Sequence, residues 1–227
     1  MKHIQFVSQP QVSRAQTSTG DILTIVGTVL SSIKSAERIW AAWAERHGLD
    51  VVAFLPTIHG IQSVETIRRL GLPGVDPAAE AAAITDAEIL DVDGIDPIAG
   101  AGPFIAALPP DRWAIVTSAP RRLAQARLAA AGIPLPRLLI AAEDVTRSKP
   151  APDGFLLAAE RLGVGIGNCL VLEDSPAGIA AGEASGAAVL VITATHTHPA
   201  ATHHSSITDY TGLSVAVATD GSVTVGA

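Results

Sequence analysis

The stretch "LVLEDSPAGIAAGEASG", residues 170–186, decides the fold of this chain. Its first three residues are apolar and typical of a buried strand, and Glu173 and Asp174 follow them. The Gly- and Ala-rich continuation predicts a helix that packs closely behind that strand. Two adjacent carboxylates at the end of a strand suit a hard cation such as Mg²⁺, which takes oxygen ligands. The alternative interpretation is that Asp174 or Ser175 only caps the helix.

Other apolar runs along the chain have the length of buried parallel strands. They lie at residues 21–26, 113–118, 137–144 and 187–193. Helical patterns rich in Ala and Leu lie between them, and this alternation predicts an α/β fold with a Rossmann-like, doubly wound parallel sheet. In such sheets, ligands bind at the carboxyl ends of the strands. A final pattern at residues 212–225 predicts a β-hairpin that turns at Asp220-Gly221.

Residues 33–93 carry amphipathic helical patterns, and no strand pattern interrupts them. We therefore expect a helical cap domain there, inserted between the first and second strands of the core. The core domain then comprises residues 21–32 and 94–227. The polar residues 1–20 precede it as a loose N-terminal arm.

Polar residues follow a second predicted strand, and a lysine precedes a predicted helix. Thr117 and Ser118 stand where a strand gives way to a helix, and a hydroxyl with free backbone N–H groups at that point forms an anion site. The alternative is an ordinary helix N-cap. Lys149 stands in a loop whose shape is restricted by Pro150 and Pro152, where its charge can neutralise a phosphate. The alternative there is an ordinary surface lysine.

The composition argues against several classes of partner. Apolar residues make up 48% of the 227 residues, which is enough for a sizeable core. The net charge is −7 and no cluster of Lys or Arg occurs, so we expect no nucleic acid and no membrane as partner. Cys169 is the single cysteine and excludes an internal disulfide. The sequence shows no signal-peptide pattern, and we expect a cytoplasmic protein.

These motifs together resemble the haloacid dehalogenase superfamily of phosphatases. The hydroxyl motif at Thr117 and Ser118, Lys149 before "PAPD", and "EDSPAGIAAGEASG" occur in that family's order and spacing. The stretch "ERIWAAWAERHGLD" at residues 37–50, followed by "IHG" at residues 58–60, looks like the helical cap of its sugar-phosphate and polyol-phosphate phosphatases. The resemblance covers residues 21–226, and the ligand that it implies is a small phosphorylated metabolite.

The resemblance also implies roles for individual residues. Thr117 or Ser118 would contact a phosphate oxygen, and Lys149 would neutralise the phosphate charge. Asp174 with Glu173 would bind Mg²⁺.

Four further positions are implied to contact the substrate. His59 and Gly60 would do so from the cap, although a lone histidine is also often structural. Gly27 and Thr28 would do so from the loop after the first strand.

The first motif departs from the family's pattern, which is DxDGT. In the family, the first Asp attacks phosphorus and the second protonates the leaving group and then activates water. Aligning Gly27-Thr28 with the Gly-Thr of the pattern puts Thr24 at the nucleophile position and Val26 at the acid/base position. A threonine hydroxyl needs a neighbouring base, and general acid–base help is worth roughly 10²–10⁴-fold. We therefore expect weak or no turnover, and weakened Mg²⁺ binding.

Three other features of the sequence offer alternatives to this interpretation of the first motif. Asp21 lies three residues before Thr24, so on a strand it points to the other face. The letters of DxDG occur again at residues 91–94, but no buried strand precedes them. Residues 17–20, "TSTG", match a DLDG coding stretch that is read one base late, which would make the start of the sequence a frame error.

The stretch "THTHPAATHH" contains His196, His198, His203 and His204. Histidines at this density can form a metal site. Because the sequence shows no acid beside them, the favoured interpretation is a polar loop after the last strand.

Two hypotheses for the function follow. The first is a phosphatase that hydrolyses a small phosphorylated sugar or polyol with Mg²⁺. The second is a pseudophosphatase, a binding or regulatory protein that keeps the phosphate site without turnover. The two hypotheses differ in whether a site with Thr24 and Val26 at the catalytic positions can turn over its ligand.

Overall fold

The computed structural model describes residues 22–24, 26–196, 202–219 and 223–226. The strands, in chain order, are β1 Ile22–Thr24, β2 Leu30–Ser31, β3 Asp96–Pro97, β4 Trp113–Val116, β5 Leu139–Ile140, β6 Leu170–Glu173, β7 Ala188–Ile192, β8 Ser206–Ile207, β9 Ser214–Val217 and β10 Val223–Gly226. The α-helices are α1 Val26–Val29, α2 Ile33–Arg46, α3 Val51–Phe54, α4 Ser63–Leu70, α5 Pro77–Leu90, α6 Ala101–Ala106, α7 Arg121–Ala130, α8 Asp153–Leu162 and α9 Pro176–Ser185.

The main sheet is parallel, with the strand order β5-β4-β1-β6-β7-β8. β1 lies in its interior between β4 and β6, with Thr24 in register with Ile115. Each apolar run that predicted a strand contains one, within shorter bounds. β8 was not predicted, because its two residues are too few to show a pattern.

Alternate residues of each strand are buried on opposite faces of this sheet. On β4, Trp113 and Ile115 belong to the apolar cluster that also contains residues of α6 and α7. Their neighbours Ala114 and Val116 belong to the cluster that contains residues of α8 and α9. Helices therefore cover both faces, and the predicted α/β fold with a doubly wound parallel sheet is confirmed.

The helices α2 to α5 carry an apolar cluster of their own. Trp40 and Trp43 lie at its centre, in edge-to-face contact with ring centroids 5.5 Å apart. The helical patterns in this part of the sequence are thus confirmed. The short strands β2 and β3 pair where the chain enters and leaves these helices. The division into a core domain and a cap domain, with the boundaries given above, stays a proposal.

The remaining sequence features have simple outcomes. β9 and β10 pair as the predicted antiparallel hairpin, while the turn at Asp220-Gly221 lies outside the described residues. The arm at residues 1–20 and Asp21 also lie outside them.

The segment at residues 91–94 follows the helix α5 instead of a strand, and Arg38 donates two hydrogen bonds to the Asp91 carboxylate, at 2.8 and 2.6 Å. Among the described residues, no helix is long and apolar enough to span a membrane.

A buried ion pair joins α5 to α7. The Arg127 guanidinium lies 3.2 Å from the Glu88 carboxylate, and the two side chains are only 12% and 3% exposed. Arg122 and Asp86 form a second ion pair between the same helices, but there both side chains are more than half exposed. The two pairs differ in burial and therefore in the cost of losing one partner.

Replacing Arg127 with methionine should destabilise the fold by about 3–5 kcal/mol, because Glu88 then lacks its partner in the interior. Burial raises the pKa of Glu88, and the charge of Arg127 opposes that rise. Without Arg127 the pKa rises further, and an acid with a raised folded-state pKa loses stability as the pH rises. The loss measured by urea unfolding should therefore be smaller at pH 5 than at pH 8.

Arg122→Met is the matched control, since it removes the exposed ion pair between the same two helices. It should cost less than about 1 kcal/mol at either pH. A loss for Arg127→Met that is no larger than the control's, or larger at pH 5 than at pH 8, would contradict this account.

Candidate functional site

The site lies at the carboxyl ends of β4, β1 and β6, and Glu173 at the end of β6 is fully buried there. One carboxylate oxygen, Oε2, accepts hydrogen bonds from the backbone N–H groups of Asp174 and Ser175, at 2.9 and 3.2 Å. The other, Oε1, accepts from the Lys149 ammonium at 3.1 Å. Both carboxylate oxygens therefore accept hydrogen bonds within the protein, and Glu173 holds the Lys149 ammonium and the backbone of Asp174 and Ser175 in place.

Lys149 is nearly as buried as its partner, with 8% of the side chain exposed. Its ammonium also donates to the backbone carbonyl of Val116 at the end of β4, at 3.3 Å. In the part of the chain that the structure describes, these bonds use two of the three N–H donors. Among the described residues the third donor has no hydrogen-bond acceptor, and Lys149 lines a cavity where a ligand would supply one.

Gly178 makes room for the Glu173 carboxylate. A Cβ atom at position 178 would lie 1.4 Å from Glu173 Oε1, which no side chain can tolerate. The backbone N–H of Gly178 donates to Ser175 Oγ at 3.1 Å, so Ser175 is the N-cap of α9. The N-cap of this helix is therefore Ser175 and not Asp174, which lines the cavity.

Asp174 lines the cavity and is half-buried. Its Oδ2 accepts a hydrogen bond from Thr195 Oγ1 at 3.0 Å, and the His196 ring donates to its backbone carbonyl at 2.6 Å. Burial, and then the negative charge of Glu173, raise the pKa of Asp174 to about 6. A cation beside Asp174 would offset both effects, and carboxylate and carbonyl oxygens are the ligands that Mg²⁺ prefers.

Thr117 and Ser118 follow β4 and line the same cavity. Thr117 Oγ1 accepts from the backbone N–H of Ala119 at 3.0 Å, and Ser118 Oγ donates to the carbonyl of Gly60 at 3.5 Å. α7 begins only at Arg121, so neither hydroxyl is the N-cap of that helix. The capping alternative for this motif is therefore wrong.

His59 and Gly60 also line the cavity. His59 Nε2 lies 3.3 Å from the carboxylate of Glu37 on α2. Gly60 has a φ of +77°, and a Cβ there would come within 3.1 Å of Ser175. Glycine at this position thus permits both the turn and the close approach to the loop that carries Asp174.

The first-motif residues are described through their backbone. Thr24 is the last residue of β1, and Val26 and Gly27 lie in the short helix α1. Thr28, also in α1, is fully buried within the fold. Thr24 is therefore at the carboxyl end of a strand that lies between the strands followed by Thr117 and Asp174.

A cavity of about 870 Å³ connects these groups. Its polar lining includes Thr117, Ser118, Lys149, Asp174 and His59. A volume of this size suits a small organic ligand, and the lining offers it both charged and hydroxyl groups.

The sequence reasoning missed several residues that line the cavity or hold its groups, among them Glu37 and Thr195, and it gave His196 no role beside Asp174. Thr195 and His196 follow β7, so the rule that polar residues after parallel strands gather at one edge could have found them. Glu37 lies on a predicted helix, where the sequence offers no sign that it faces His59.

Comparison with known proteins assigns the family. A model of the haloacid dehalogenase-like hydrolase family matches residues 7–186. The chain belongs to this family. It is 38% identical to hexitol phosphatase A of Escherichia coli over 182 residues, which cover 77% of this chain and 83% of the relative. It is 30% identical to a fructose-1-phosphate phosphatase of the same organism, over 74% of this chain and 92% of that one.

The fold of this haloacid dehalogenase-like hydrolase is also found in solved structures. A mutant of CbbY from Rhodobacter sphaeroides, in complex with xylulose-(1,5)bisphosphate, has a TM-score of 0.73 at 22% identity, with 85% of this chain and 95% of that chain covered. At this identity the likeness shows the fold alone.

Gly178→Ala should destabilise this haloacid dehalogenase-like hydrolase by about 1–3 kcal/mol, because the new methyl group displaces the Glu173 carboxylate from Lys149. Urea unfolding measures the change. Gly102→Ala on α6 is the matched control, because a Cβ there meets open space. The control should change stability by no more than about 1 kcal/mol. Equal effects of the two substitutions would show that Gly178 is not needed to accommodate Glu173.

Proposed function

We propose that the chain binds the phosphate monoester of a small sugar or polyol and hydrolyses it slowly. The observation that carries this proposal is the Lys149 ammonium, held by Glu173 on the wall of a cavity of about 870 Å³ beside Thr117 and Ser118. The sugar and polyol class comes from the relatives, which include a hexitol phosphatase and a fructose-1-phosphate phosphatase.

The phosphate would lie against the carboxyl ends of the strands. Lys149 has its position fixed before any ligand arrives, because Glu173 and the Val116 carbonyl hold its ammonium. A charge-assisted hydrogen bond from such a group to a phosphate oxygen is roughly twice as strong as one between neutral groups. Thr117 or Ser118 would donate a further hydrogen bond to a phosphate oxygen.

Asp174 is the side chain that we propose as the Mg²⁺ ligand, with Glu173 as its anchor. Glu173 has both oxygens engaged by Lys149 and backbone N–H groups, whereas Asp174 opens to the cavity. When bound, Mg²⁺ would supply positive charge to the phosphate oxygens. Since Thr24 and Val26 supply no carboxylate, the affinity for Mg²⁺ would be weak.

His59 and Glu37 would contact the sugar or polyol part of the ligand. They lie on the wall formed by the helical segment and offer a ring nitrogen and a carboxylate, which suit hydroxyl groups. Gly60 and Gly27 would allow the close approach of backbone to ligand. The burial of Thr28 argues for a packing role at that position.

Thr24 and Val26 would limit turnover. Hydrolysis transfers the phosphoryl group to water and returns a proton to the leaving alcohol oxygen. A threonine hydroxyl is a poor nucleophile without a neighbouring base, and valine can neither donate nor accept a proton. A second candidate function therefore has a specific sequence feature in its favour: a pseudophosphatase that binds the same ligands without hydrolysing them.

The first test is phosphate release from a panel of sugar and polyol phosphates with Mg²⁺. We expect slow release for at least one member of the panel, and loss of that release in Asp174→Asn. Release that persists unchanged in Asp174→Asn would contradict the proposed site. Binding of a panel member without any release would favour the second candidate.

The second test restores the missing acids in the variant Thr24→Asp/Val26→Asp. We expect release to rise by at least about 10²-fold, because both the nucleophile and the proton carrier return. Asp21→Asn is the matched control and should leave the rate unchanged. A folded double variant that is no faster than the native chain would contradict the assignment of positions 24 and 26.

A further inference from the structure

We propose that Glu183, His203 and His204 form a binding site for a borderline transition-metal ion such as Zn²⁺. This site is separate from the one at Asp174. The proposal is independent of the proposed function, because it concerns a different set of ligands.

The distances among the three side chains suit one ion. His204 Nε2 lies 2.7 Å from Glu183 Oε1, and His203 Nε2 lies 3.7 Å from the same oxygen. One ligand atom from each residue falls within 4.8 Å of the other two. Ligand atoms about 2.1 Å from a tetrahedral Zn²⁺ are about 3.4 Å apart, so small side-chain rotations would bring all three into coordination.

The fold places an acid, Glu183, beside the two histidines. The sequence alone does not reveal this neighbour. Glu183 is near the end of α9, and His203 and His204 precede β8, which pairs with β7 next to that helix. The backbone N–H of His204 donates to Thr202 Oγ1 at 3.1 Å, and the two imidazole rings are in tilted contact with centroids 4.1 Å apart. The histidines are thus already held side by side against Glu183.

The donor set distinguishes this site from the proposed Mg²⁺ site. Two imidazoles and one carboxylate suit Zn²⁺, Ni²⁺ or Cu²⁺, whereas Mg²⁺ prefers oxygen ligands. Elsewhere, His59 contacts Glu37 and His47 contacts Glu80, but each of these contacts has one histidine. The pair of histidines on a single carboxylate is what makes a metal site at Glu183.

The site is at the rim of the large cavity. Glu183 and His203 line the cavity that Lys149 and Asp174 also line. A bound ion would therefore add positive charge to the wall of the same cavity, and three protein ligands would leave a coordination position for water or a ligand group.

Calorimetric titration with ZnCl₂ tests the proposal. The protein is the full chain without a polyhistidine tag, and Mg²⁺ is present in excess so that oxygen-only sites are filled. We expect one Zn²⁺ per chain, and an affinity at least about tenfold lower in Glu183→Gln and in His204→Gln. His47→Gln is the matched control, a histidine that contacts a carboxylate elsewhere, and it should bind as the native chain does.

The variants carry their own check on folding. Glu183 is exposed, so Glu183→Gln should unfold at the native temperature in the absence of Zn²⁺, and its loss of affinity then does not come from a loss of fold. Absence of Zn²⁺ binding by the native chain would overturn the proposal, as would equal affinities in the native chain and in Glu183→Gln. Equal losses in His47→Gln and His204→Gln would overturn it as well, because binding would then not be specific to this cluster.

Discussion

The buried ion pair between Lys149 and Glu173 is the interaction on which the rest of the site depends. A charge in the interior is costly unless its partner and further hydrogen bonds compensate it, and here the backbone supplies them on both sides. The pair fixes an ammonium at the carboxyl ends of the strands. It also explains why position 178 is glycine, because the carboxylate occupies the space of a Cβ atom.

The two adjacent acids, Glu173 and Asp174, have different environments in this arrangement. Both carboxylate oxygens of Glu173 accept hydrogen bonds within the protein. Asp174 opens to the cavity, and its pKa is raised to about 6. A carboxyl with such a pKa beside a second acid is typical of a site that gains from a bound cation. The proposed cation site and the proposed phosphate site would therefore be coupled through one buried charge.

The sequence predicted most of the fold because its strands and helices are long enough to show a pattern. Runs such as "WAIVTS" predicted the interior strands, and the patterns around Trp40 and Trp43 predicted the helices beside them. Strands of two residues, such as β2 and β8, show no period and were missed. Burial on both faces of the sheet follows from the same apolar runs.

The sequence predicted which residues gather around the cavity better than how they contact one another. Lys149 was expected to serve phosphate, and Glu173 to serve Mg²⁺, yet the two side chains bind each other. The histidines near the end of the chain were interpreted as a polar loop because the acid they contact, Glu183, lies on a different element. Contacts between distant segments depend on the packing of helices on the sheet, which a single sequence does not display.

The most direct test of the account is the binding of a hexitol phosphate measured by calorimetry in the native chain, in Lys149→Met and in Arg147→Met. Arg147 stands two residues away, is exposed and pairs with Asp153, so it serves as the matched loss of one positive charge. The account predicts that the native chain and Arg147→Met bind alike, and that Lys149→Met binds at least about tenfold more weakly. Equal affinities in all three proteins would contradict it.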